Sequence, residues 1–122
     1  MSFETLIYIA IGLFVPAAAA GATMAILHWR ARVPPWKLTI LHGLLALGGL
    51  ANLLTAVAGR STIGSIHAIA LLFVLIALGG IIVVSFHVRR RRPPLPLIAI
   101  HGTGAVTAFV LLVLYVLHVI PE

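Results

Sequence analysis

Six histidines, His28, His42, His67, His87, His101 and His118, carry nearly all the chemistry available to this chain. A neutral imidazole is a nitrogen ligand for iron, copper or zinc, and an ionisable group in an apolar chain is costly enough that it usually has a function. Other chemistries are excluded by what is missing. With no cysteine there are no disulfides, thiolate metal sites, iron–sulfur ligands or C-x-x-C-H attachment of haem. The acidic residues, Glu4 and Glu122, lie at the chain ends, so no paired carboxylates support hydrolysis or proton pumping. No nucleophile–base constellation is present.

The histidines are spaced by an internal repeat. Residues His28-Trp-Arg-Ala-Arg-Val-Pro-Pro-Trp-Lys-Leu-Thr-Ile-Leu-His42-Gly43 recur, fifty-nine positions later, as His87-Val-Arg-Arg-Arg-Arg-Pro-Pro-Leu-Pro-Leu-Ile-Ala-Ile-His101-Gly102. The chain therefore divides into repeat 1 (residues 1–59) and repeat 2 (residues 60–122), each a helix, a basic Pro-Pro turn and a second helix. Counted from the two Pro-Pro pairs, His28, His87, His42 and His101 share one level near an edge of the hydrocarbon. His67 and His118 form a second level towards the other edge; their counterparts in repeat 1 are Tyr8 and Gly59.

The elements that must position these groups are membrane spans. A chain of 122 residues that is 62% hydrophobic and 8% charged has too little polar surface for a soluble domain. Apolar runs place spans over Leu6–His28, Trp36–Val57, Ser65–Val88 and Leu95–Ile120, the first being about 35 Å long at 1.5 Å per residue. Pro16 lies within the first and is expected to kink it. Short connections predict an all-α, up-down four-helix bundle in which spans one and three, and spans two and four, lie diagonally. The net charge of +6 comes mostly from Arg30, Arg32, Lys37, Arg89, Arg90, Arg91 and Arg92 in the two turns. That clustering points to anionic headgroups and not to nucleic acid, and it places both turns in the cytoplasm with both termini outside. Expected, then, is a multi-pass protein of the bacterial inner membrane whose first partner is the lipid bilayer. Trp29, Trp36, Tyr8 and Tyr115 fit an interfacial belt, and Asn52 is suited to a bond across helices.

Paired imidazoles on antiparallel helices suit non-covalent haem. Neighbouring helices pack at about 8–10 Å, too close to admit iron between two imidazoles, whereas a diagonal is wider. This favours His42 with His101, or His28 with His87, at the first level; His42 and His101 are preferred because they lie within their spans. At the second level His67 and His118, the candidate ligands for a second haem, would have to reach each other from adjacent spans, a less favourable geometry. Gly21 and Gly80 correspond under the repeat and precede His28 and His87 by seven residues on one helix face, where a flat ligand could approach. Membrane-helix packing, which favours small residues, is the alternative for the glycines. A lone histidine at a membrane edge is ordinarily a satisfied interfacial residue, and clustered imidazoles could also hold copper or zinc.

With its span number, histidine placement and glycines, the chain resembles the small four-helix b-type cytochromes of bacterial membranes, the cytochrome b561-like group. The resemblance implies one or two haems b held by helix histidines, and electron transfer to or from quinone, alone or within a respiratory or photosynthetic complex. Other readings are a structural or assembly subunit, a chlorophyll-binding subunit and a metal-ion carrier.

Overall fold

A computed structural model of the chain describes residues 1–119. Four helices account for most of it: α1 (Phe3–Trp29), α2 (Trp36–Ala58), α3 (Ser65–Val88) and α4 (Leu95–Val116). Each is long and apolar enough to cross a membrane. The first begins at Ser2, whose Oγ accepts the Thr5 N–H at 3.1 Å and so satisfies one of the donors a helix start leaves free. It continues through Pro16 without interruption. At both basic turns proline sets the break, since it lacks an N–H and disfavours helical geometry in the residue before it. Pro35 and Pro94 then serve as caps for α2 and α4.

Three helices end in the same way. Ala31, Arg90 and His118 have positive φ of 56°, 54° and 57°. Around them the N–H groups of Ala31 and Arg32 donate to the carbonyls of His28 and Leu27, those of Arg90 and Arg91 to His87 and Phe86, and those of His118 and Val119 to Tyr115 and Leu114. This paired reversal, the Schellman motif, satisfies the last carbonyls of a helix but asks for a left-handed residue, which is usually glycine. At Ala31, Ala31→Gly is therefore expected to raise stability by about 1 kcal/mol, read as a higher melting temperature in detergent. The motif at His118 also closes α4 at Val116, four residues short of the expected Ile120, which lies outside the described residues. Hydropathy does not register that stop, because the apolar run continues past it.

α1 packs against α2 and α4, and α3 against the same two, so α1/α3 and α2/α4 form the diagonals, as expected. The closest pair is α1 with α2. There the Ala17–Gly21 stretch brings backbones together, where α3 carries the bulkier Ile76-Ala77-Leu78-Gly79-Gly80. Asn52 donates to the Gly48 carbonyl within α2, at 2.9 Å, and not across helices.

The core is confined to half of the bundle. Leu6, Ile7, Ala10 and Phe14 meet Leu53, Ala56 and Val57, Ile66, Ile69, Ala70 and Phe73, and Ala108, Leu112 and Tyr115 at the end away from the Pro-Pro turns. Phe14 and Phe73 stack across the α1/α3 diagonal, with centroids 4.3 Å apart and planes within 6°. Towards the turns, Ala17 and Ala20 are the last buried side chains. No residue from 21 to 48 or from 74 to 107 is buried. The side chains of this half are half-buried or exposed, and it holds His28, His42, His87 and His101.

Candidate cofactor site between paired histidines

His42 on α2 and His101 on α4 face each other across the second diagonal. Their ring centroids are 6.3 Å apart and their planes are inclined at 79°. Each ring is held from behind by a backbone carbonyl in its own hairpin. Nδ1 of His42 lies 2.8 Å from the Ala17 oxygen, and Nδ1 of His101 lies 3.1 Å from the Ile76 oxygen. A carbonyl can only accept, so Nδ1 carries the hydrogen in both; in a neutral imidazole that leaves the lone pair on Nε2. A backbone partner on one nitrogen is the usual means of orienting a histidine that ligates a metal through the other.

Two glycines make this approach possible. A Cβ on Gly21 would lie 3.0 Å from His42 Cε1, and one on Gly80 would lie 3.0 Å from His101 Cε1. Ala17 precedes Gly21 by four residues and Ile76 precedes Gly80 by four, so carbonyl and bare Cα share one helix face. The sequence tied these glycines to His28 and His87 further along their own helices. The structure sets them against His42 and His101 on the neighbouring helices.

Two imidazoles that share one metal, each with a nitrogen–metal bond of about 2 Å, have centroids roughly 6 Å apart once the ring radii are added. The His42/His101 separation matches that distance. A bare zinc site needs about four protein ligands, and among the described residues no group of three or more His, Asp or Glu side chains comes together as a metal site.

The other histidines are placed differently. His28 and His87 line a hollow of about 260 Å³ at the basic end, together with Trp36, Arg32, Arg90, Arg91 and Arg92. No ring contact joins them among the described residues. Instead Trp36 lies against His87, with centroids 4.4 Å apart and planes tilted by 50°. In repeat 2 the position of Trp36 is taken by Leu95, so this contact has no symmetric partner. At the far end, His67 Nδ1 accepts the Gly64 N–H at 3.2 Å, which caps the start of α3 and puts the hydrogen of the neutral ring on Nε2. His118 is exposed in the turn after α4. No hydrogen bond or ring contact joins His67 to His118 among the described residues. Sequence reasoning missed the Ala17 and Ile76 carbonyls and the Trp36 contact. Each carbonyl stands twenty-five residues before its histidine, a spacing that the repeat gives to every such pair and that marks no carbonyl out.

Compared with protein-family models, with curated proteins and with solved structures, the chain matches none.

Proposed function

We propose that the chain is a membrane-embedded b-type cytochrome, built from a duplicated helical hairpin, in which His42 and His101 would hold one haem b. In this reading the four helices span the bacterial inner membrane, both basic turns face the cytoplasm and both termini lie outside. The observation that carries it is the symmetric pair: two imidazoles from diagonal helices, 6.3 Å apart, each with Nδ1 on a carbonyl and Nε2 left for a ligand.

Bound haem would supply a one-electron couple. The protein's contribution is orientation and environment. The Ala17 and Ile76 carbonyls fix tautomer and ring direction and raise the basicity of Nε2. Gly21 and Gly80 let each ring lie close against a helix, and the apolar helices keep water from the site, which helps to set a potential. A quinone at the basic end is the electron partner this reading favours, and docking within a larger respiratory or photosynthetic complex is compatible with the short loops. His67 and His118 would serve a second haem only after His67 gives up the Gly64 N–H, so one haem per chain is the expected content.

The test is the visible spectrum of the purified chain, oxidised and then reduced. A low-spin haem signal at one haem per chain supports the reading. A colourless protein would leave a scaffold or assembly subunit, a magnesium-pigment spectrum a chlorophyll protein, and copper or zinc in place of iron a metal carrier.

A further inference from the structure

The hollow at the basic end is distinct from the His42/His101 site and is built from both turns. Arg32, Arg90, Arg91 and Arg92 line it with Trp36 and His87, in a volume of about 260 Å³. Arg32 and Arg91 are equivalent in the two repeats, each following the left-handed residue that closes its helix. Nη2 of Arg92 donates to the Ala31 carbonyl at 2.8 Å, which fastens one turn to the other. Among the described residues no carboxylate lines the hollow. Glu4, the acidic residue among those described, lies in the first turn of α1, which starts at the other end of the bundle.

Four guanidiniums held around one space repel one another unless an anion enters. Arginine favours phosphate in particular, since its planar fork gives two parallel N–H bonds to two oxygens. The surroundings indicate what the phosphate is attached to. Val33, Trp36 and Val88, at 70%, 47% and 64% exposure, put apolar surface beside the charges. A soluble anion would gain nothing from it, while an acyl chain would lie along it. Basic pockets at helix ends are a recognised mode of headgroup binding.

We propose that this hollow is a discrete site for the phosphate group of an anionic phospholipid, which the two turns grip together. The proposal rests on the helices being membrane spans, but not on haem. It makes the basic residues more than an orientation signal, because one bound lipid bridges the two hairpins at the hollow that both turns line.

Native mass spectrometry of the full chain in mild detergent tests it, with phosphatidylglycerol, phosphatidylcholine and inorganic phosphate as probes. Expected is one retained phosphatidylglycerol per chain, at least about tenfold over phosphatidylcholine, and an approximately tenfold loss in R32Q/R91Q. R32K/R91K, which keeps the charge, is expected to retain more lipid than the glutamine variant. Equal retention of the two lipids, or equal loss in the two variants, would overturn the proposal, as would displacement of lipid by millimolar inorganic phosphate. The H42A/H101A variant separates this site from the haem reading. Unchanged lipid retention there supports an independent site; lipid that binds only in that variant would mean that haem propionates own the guanidiniums, and the proposal would fall.

Discussion

Replacing His42 and His101 together by alanine is expected to give a chain that still inserts, remains helical and purifies without haem. Outer-shell partners of metal ligands alone are commonly worth 10–100-fold in affinity, so loss of both axial imidazoles should exceed about 100-fold. The fold should survive because neither ring belongs to the buried core, which lies at the other end of the helices. Haem content per chain and helical circular dichroism are the two measurements. Full haem content in a folded double variant would refute the ligand assignment.

Neighbouring substitutions give that result its meaning. In Gly21→Ala or Gly80→Ala the new methyl meets a ring carbon at 3.0 Å, so the imidazole must shift while its Nδ1 partner stays fixed. Weaker haem retention is expected, with the ligand still present. His67→Ala is expected to leave the spectrum unchanged and to weaken the start of α3, since it removes the acceptor for the Gly64 N–H. A lost visible band in that variant would instead place a haem at the far end of the bundle.

The repeat made the helix pairs, the diagonals and the symmetric histidines legible from residue order, because a register shared by His42 and His101 must be shared by their surroundings. The start of α3 and both Pro-Pro breaks could also be read, since proline acts locally. Other features depend on contacts that no local rule encodes. The partners of His42 and His101 are backbone atoms, which sequence does not distinguish from any other carbonyl. The helix ends at Ala31, Arg90 and His118 use residue types that seldom take positive φ, so the expected glycine signal was missing and α4 was read too long. The closeness of Gly21 to His42 and of Gly80 to His101 is not legible either, because periodicity along one helix cannot show what crosses from the next.

Gly49→Ala is expected to be the most damaging single methyl that can be added to the bundle. The new Cβ would lie 2.7 Å from Phe14 Cε1 and 2.8 Å from Cδ1, and Phe14 is already stacked on Phe73 at 4.3 Å. The ring cannot retreat without breaking the contact that joins α1 to α3. In lipid such packing, more than hydrophobic burial, holds helices together. Overpacking of this kind costs about 1–3 kcal/mol, measurable as a lower melting temperature in detergent. The equivalent residue in repeat 2 is Ala108, which is fully buried, so the methyl fits on one side of the stack but not on the other. The atoms that the new methyl would meet are those of the Phe14 ring. Leucine at position 14 should test this: if Phe14 is the obstacle, Gly49→Ala costs much less in a Phe14→Leu background. Equal cost in both backgrounds would place the constraint on the α1–α2 backbone approach instead. Two diagonal contacts thus divide the labour along the bundle axis: Phe14 with Phe73 joins the half that holds the buried core, and His42 with His101 meets in the other half.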